Sequence, residues 1–198
     1  MTLGELIARV GRTTKRPDLE DQIIDAINDA IEMASTQGDY AFDLVEGELA
    51  ISSSDYAQNI VISTSFTRFR KVKYLRPEGY SIYLKWRDPA KIWTEKAPGR
   101  VGLEQLDCFY RAGDNIVFKL SNLQDTMLYG FYQYPLRVSD PNATNNYMTQ
   151  MPAAIHAIAA SMIWEDIGNE AEAQRLERRG LRLLAMHQAD KQDGVSHS

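Results

Sequence analysis

A chain of 198 residues with 44% apolar and 25% charged side chains is long enough for one domain with a real core, or one carrying a sizeable inserted subdomain. The same composition excludes general disorder and collagen-like or mucin-like architectures. A formal net charge of -5 argues against bulk affinity for nucleic acid, and a single cysteine, Cys108, excludes an intramolecular disulfide and a multi-cysteine zinc site.

Thr2 is placed to cap a short helix in which Leu3, Leu6, Ile7 and Val10 share one side. That helix is expected to fail near Gly11, ahead of a basic turn over 12–17. A second helix is expected from about Asp18, because Leu19, Ile23, Ile27, Ala30, Ile31 and Ala34 recur at spacings of three and four, with Gly38 where a C-terminal cap belongs. Its other face carries Glu20, Asp21, Asp25, Asp29 and Glu32 with no basic residue between 18 and 37. Something basic, or only water and salt, must face it.

From Tyr40 the texture changes to β-branched and aromatic residues punctuated by turns, which reads as an antiparallel sheet. Candidate strands are 42–51, 59–63, 69–75, 81–86, 107–111, 115–120 and 127–134. Ala112-Gly113-Asp114 is a hairpin turn, and Arg76-Pro77-Glu78-Gly79-Tyr80 a tight turn that puts Tyr74 and Ile82 in adjacent strands. A short helix is expected at 89–94, and 139–151 reads as a polar connection.

Pro152 suits a first helical position, and Ile155, Ile158, Ala159, Met162, Ile163 and Ile167 then describe an amphipathic helix. Gly168 is suited to the left-handed conformation that ends it, and Asn169 with Glu172 reads as the N-cap and capping box of another. In that helix Ala173, Leu176, Gly180, Leu183 and Leu184 form the apolar line, with Glu170 and Glu172 at its positive end and Arg175, Arg178, Arg179 and Arg182 further along. The expected fold is therefore α+β. Terminal helices at 1–39 and 152–189 form a four-helix bundle, an antiparallel β subdomain is inserted over 40–151, and 190–198 is a flexible tail.

No catalytic, metal or cofactor site is expected. His156, His187 and His197 fall in no metal-binding spacing, and Cys108 lies in an alternating strand where a buried thiol is the plain reading. Phosphate-binding glycine loops are missing, and Asp25 and Asp29, one helical turn apart, belong to a wholly acidic face and read as a solvated or ion-paired surface. Arg68, Arg70, Lys71, Lys73 and Arg76, with Phe66, Phe69 and Tyr74 interleaved, resemble a nucleic-acid surface at first sight. Strand alternation puts Arg68, Arg70 and Val72 on one face and Phe69, Lys71 and Lys73 on the other, so the charges make no single stripe. A subunit contact with the acidic helix uses them equally well. Tyr80, Tyr83, Trp86, Trp93, Tyr129, Tyr132 and Tyr134 exceed the needs of a core this size and suit interfaces.

The layout as a whole resembles a known family. A short helix, Arg16-Pro17-Asp18-Leu19, a long helix ending near Gly38 and Tyr40-Ala41-Phe42 leading into strands is similar to the opening of tailed-phage head-to-tail adaptor proteins. Met151-Pro152-Ala153-Ala154-Ile155 and Gly168-Asn169-Glu170-Ala171-Glu172, each opening a helix, resemble the C-terminal half of the tubular or tail-accessory adaptors of short-tailed phages. The resemblance implies a structural, non-enzymatic homo-oligomer in the phage neck. It would form a ring, usually twelve-fold, between the portal protein ring and the tail nozzle or tail-tube protein, with genome DNA passing through the lumen without specific binding.

Carried over, the resemblance implies that Asp190, Lys191, Gln192, Val195 and His197 engage the portal and that Tyr80, Trp86 and Trp93 face the tail. Asp21, Asp25 and Asp29 against Arg68, Arg70, Lys71 and Lys73 make a complementary subunit interface of the kind a head-to-tail ring needs. The rival is a helical DNA-binding or regulatory protein using the C-terminal αα-hairpin, whose arginines mix with Glu172 and Glu177 and so make no uniformly positive face. A hydrolase with a site in the β region finds no acid/base pair to support it. The opening Met1-Thr2-Leu3-Gly4-Glu5 lacks a signal peptide's basic and apolar regions, and no run approaches the roughly 18 apolar residues of a membrane helix. The expectation is a protein made in the cytoplasm with no membrane partner.

Overall fold

The computed structural model describes residues 1–50, 60–62, 68–79, 83–86, 88, 108–112, 115–119 and 126–193. The expected helix at 89–94 lies outside them, as do Tyr80, Ile82, Trp93, Gly113, Asp114, Val195 and His197. The chain divides into two compact units, one made of Met1–Phe42 with Tyr134–Ser198 and the other of Asp43–Gln133.

The first unit is helical: α1 (Leu3–Thr14), α2 (Glu20–Gln37), α3 (Asn146–Gln150), α4 (Pro152–Asp166) and α5 (Glu170–Asp193). The described residues thus hold five helices where four are expected from the sequence. The extra one, α3, is a single turn inside the polar connection, started by Asn145, whose side chain accepts from the Met148 N–H at 2.9 Å. Thr2 caps α1 and forms a full capping box with Glu5. The helix does not stop at Gly11 but runs on to Thr14, with Lys15 in the left-handed region at φ 57°. Gly11 serves close packing instead, since a Cβ there would meet the Pro17 Cα at 3.2 Å.

Helix α2 begins at Glu20 rather than Asp18, which is held outside the helix by the Arg16 guanidinium (Nη2 to Oδ2, 2.8 Å). Gly38 is extended rather than left-handed. Its missing Cβ makes room for Gln188, whose Nε2 donates to the Gln37 carbonyl at 2.7 Å and caps α2 from the far end of the chain.

Helix α4 is not amphipathic. Every residue from Ala154 to Ser161 is buried, and the helix packs on α1, α2, α3 and α5. Alanines at 154, 157, 159 and 160 let neighbours close in from all sides, so α4 is the axis of the unit rather than half of a surface hairpin. Gly168 adopts φ 79° as expected, and the Asn169 side chain accepts from the Glu172 N–H. Helix α5 then continues to Asp193, four residues into the stretch expected to be tail, because neither glycine nor proline falls between Leu181 and Asp193.

The second unit holds β1 (Leu44–Ala50), β2 (Ile60–Ile62), β3 (Phe69–Pro77), β4 (Lys85–Trp86), β5 (Cys108–Ala112), β6 (Asn115–Lys119) and β7 (Thr126–Gln133). They form two sheets rather than one, in the orders β1-β7-β3 and β2-β6-β5-β4. The β5–β6 pair is antiparallel with Ala112 opposite Asn115, the register of a two-residue hairpin. The short β4–β5 pair is parallel, a departure from the all-antiparallel expectation. Gly79 supplies the positive φ (78°) of the turn after β3. Leu75, Leu84, Ile116, Met127 and Phe131 make the core of this unit. The first strand starts at Leu44 rather than Phe42, because Phe42 stacks on Tyr40 (5.2 Å) and meets Tyr147 edge-on (4.9 Å) in the helical core.

Candidate interaction surfaces

Among the described residues no cluster of three histidines, cysteines or carboxylates is arranged to hold a metal, and no helix is long and apolar enough to cross a membrane. His156 is buried in the helical core, its Nε2 2.9 Å from the Thr13 hydroxyl. Burial, then the nearby charges of Arg9 and Arg179, lower its pKa from the ordinary 6.5. The unfolded chain therefore binds more protons than the folded one between that lowered value and 6.5, so stability is full above pH 6.5 and falls as the pH drops through this window. His156→Gln should flatten this part of the profile, as measured by thermal unfolding across the mildly acidic range. An unchanged profile would show that the imidazole is not its source.

Among the described residues of its own unit, the acidic face of α2 finds one cation. Arg137, in the segment before α3, reaches Asp29 at 3.1 Å, Asp25 at 3.4 Å and Glu32 at 3.9 Å. All four side chains are more than half exposed, so each pair contributes less than about 1 kcal/mol. Asp21 and Glu20 are exposed on the same helix. Sequence reasoning misses Arg137; the available signal is an arginine in the polar connection opposite a helix with no cation of its own.

What fixes that segment is Asn28, a buried amide. It accepts from the Val138 N–H at 2.8 Å and donates to the Val138 carbonyl and the Ile24 carbonyl, each at 3.0 Å. Asn28→Ala removes all three bonds at once and should cost about 2 kcal/mol, since each is worth roughly 1 kcal/mol and the half-buried Val138 groups recover some water. Urea unfolding measures the loss; a change under about 0.5 kcal/mol would mean the segment is held by other contacts.

The basic strand β3 does not alternate as expected. Register shifts lie between Phe69 and Lys71 and between Val72 and Tyr74. Phe69, Val72 and Leu75 consequently all face the core, while Lys71 and Lys73 are exposed. The expected grouping of Arg70 with Val72 and of Phe69 with the lysines is therefore wrong, because each irregularity resets the two-residue period. Arg70 turns inward. Its side chain is 9% exposed, lies 3.8 Å from Asp43 and stacks over the Tyr132 ring at 5.3 Å, so its guanidinium is engaged within its own unit. Arg68, at φ 58°, donates to the Gln133 side chain at 3.1 Å.

Lys71 and Lys73 are the cations that β3 presents outward, at one edge of its sheet. Tyr74 lies over Gly130 and donates to Glu46 at 2.8 Å across the intervening strand, a row that only a glycine in the middle allows. Burial, followed by that carboxylate, raises the Tyr74 pKa.

Of the aromatic residues expected to serve contacts, Trp86 is 62% and Tyr83 53% exposed, whereas Tyr132 is buried. Asp190, Lys191 and Gln192 lie in the last turn of α5 rather than in a tail. Arg175 is held by Glu172 at 2.6 Å and Arg178 by Gln174 at 3.4 Å, which leaves the face of α5 charged but mixed. A family model described as SU10 adaptor protein matches residues 1–197. None of the curated proteins matches the chain.

Proposed function

The chain belongs to the SU10 adaptor protein family, structural adaptors of bacteriophages rather than enzymes, and on that premise we propose that copies of it form a ring in the phage neck between the portal and the tail. The observation that carries this reading is the extent of the family match, which takes in both compact units. In this reading about twelve copies, the multiplicity usual for closed neck rings, repeat one head-to-tail contact. The portal ring lies on one side, the tail nozzle or tail-tube protein on the other, and DNA passes through a lumen that does not bind it specifically.

In this reading the following residues serve such contacts. Asp21, with Asp25 and Asp29 shared with Arg137, offers negative charge, and Lys71 and Lys73 offer positive charge toward a neighbouring copy. Arg68 joins them at the start of β3, while Arg70 serves its own unit. Asp190, Lys191 and Gln192 at the end of α5, continued by Val195 and His197, engage the portal, and Trp86, with Tyr80 and Trp93, contacts the tail. Mass photometry of the protein alone and mixed with the cognate portal ring tests the proposal. Many copies joining each portal ring is the expected result, and a small oligomer that ignores the portal overturns it. Asp25→Lys with Asp29→Lys should make assembly salt-sensitive and weaker; assembly unchanged at low and high salt removes α2 from the interface.

A further inference from the structure

Helix α5 carries two surfaces of opposite character. Between Met33 of α2 and the α4–α5 hairpin lies a groove of about 400 Å³, with Met33, Met162 and Ala173 on its floor and Glu165, Glu170 and Glu177 on its rim. No lysine or arginine lines it, and none of the three carboxylates is ion-paired among the described residues. Further round the same helix Arg175, Arg178, Arg179 and Arg182 are exposed, and Met186 is 58% exposed beside them. At 100° per residue the stripe Glu170, Gln174, Glu177 and Leu181 lies about 120° from the stripe Arg175, Arg178, Arg182 and Met186. Arg179 and Arg182 make no hydrogen bond or ion pair among the described residues.

We propose that these two surfaces are the halves of a head-to-tail contact between copies of this chain, the arginine face and Met186 of one α5 seating over the carboxylate-rimmed groove of the next. An isologous pair needs one self-complementary patch, whereas a head-to-tail contact needs two different patches that fit each other. The helical unit has such a pair on one rigid helix. Arg179 and Arg182 meet the rim of Glu165, Glu170 and Glu177, and Met186 covers the methionine floor, the mixture of arginine, methionine and buried apolar surface that marks protein contacts. The contact rests on the ring reading only for its closure; without closure the same surfaces give open oligomers.

The test is sedimentation of the full chain over a wide concentration range at low and high salt, with no portal present. Glu170→Arg with Glu177→Arg, and separately Arg179→Glu with Arg182→Glu, should each weaken self-association about tenfold or more, while the chain carrying all four changes recovers it. All four positions are exposed, so each variant should still unfold cooperatively, with only the small loss that Glu170→Arg brings at the positive end of the helix. Reversals that associate like the wild type overturn the proposal, as does a wild-type chain that stays monomeric at low salt up to its solubility limit. Salt-sensitive binding of duplex DNA lost in Arg179→Glu/Arg182→Glu, with self-association intact, assigns the arginine face to nucleic acid instead. Failure here leaves portal binding untouched, so the two readings fall separately.

Discussion

Replacing Arg70 by methionine should destabilise the 43–133 unit by about 3 kcal/mol, the range expected when one partner of a buried ion pair is removed and the other is left behind. The argument rests on burial on both sides. The Arg70 side chain is 9% exposed and that of Asp43 7%, with Nη2 and Oδ2 3.8 Å apart. Methionine keeps much of the packing against Tyr132 but not the charge, so the Asp43 carboxylate must lose a cation where water cannot replace it. Lys71→Met, one residue along on the exposed side of the strand, should change stability by no more than about 0.5 kcal/mol. Arg70→Met with Asp43→Leu should recover most of the loss, since a buried pair exchanged for apolar groups is often near neutral. Hydrogen exchange of the β3 and β7 amides with a urea titration reads this unit directly. If Arg70→Met is as mild as Lys71→Met, the buried-pair account is wrong.

Signals made by neighbours in sequence were legible. The Thr2 cap, the left-handed Gly168, the Asn169 cap three residues before its partner N–H, and the two-residue register at Ala112 and Asn115 all involve groups within a few residues of one another. Each follows from local chemistry. Gly11 and Gly38 carry the same letter as Gly168 but serve close approach, in one case to Pro17 and in the other to Gln188, 150 residues further along. Glycine alone does not say which use applies. The isoleucines of helix α4 repeat with an amphipathic spacing, yet the alanines between them are what let it sit at the centre.

The candidate surfaces were legible as charge and illegible as contact. The acidic face of α2 follows from its composition, but Arg137 meets it from 108 to 112 positions away. On β3 two register shifts replace a period of two by a spacing of three among Phe69, Val72 and Leu75. No rule of alternation anticipates an irregularity, so the inward turn of Arg70 was hidden. Its partner Asp43 stands at the end of a turn, Ala41–Asp43, where the sequence pattern places a strand.

Ile158→Ala should cost the helical unit about 3 kcal/mol, and its partner across the hairpin makes the loss conditional. Ile158 is fully buried, where truncation to alanine removes transfer free energy and leaves a cavity, typically about 2–5 kcal/mol together. Gly180 of α5 crosses directly against it. A Cβ at 180 would press on the Ile158 Cγ1 and approach its Cδ1 and backbone nitrogen at 3.3 Å. Alone, Gly180→Ala gains about 1 kcal/mol of helix propensity but loses about 2 kcal/mol to overpacking, a net loss near 1 kcal/mol. In the Ile158→Ala background those side-chain atoms are gone, so the added methyl enters the cavity and the propensity gain survives. The double variant should therefore be more stable than Ile158→Ala, with a coupling of about 2 kcal/mol between the two sites. Urea unfolding of the wild type, both single variants and the double closes the cycle. A coupling below about 0.5 kcal/mol would mean that α4 and α5 shift apart to admit the methyl, and that Gly180 does not set their separation.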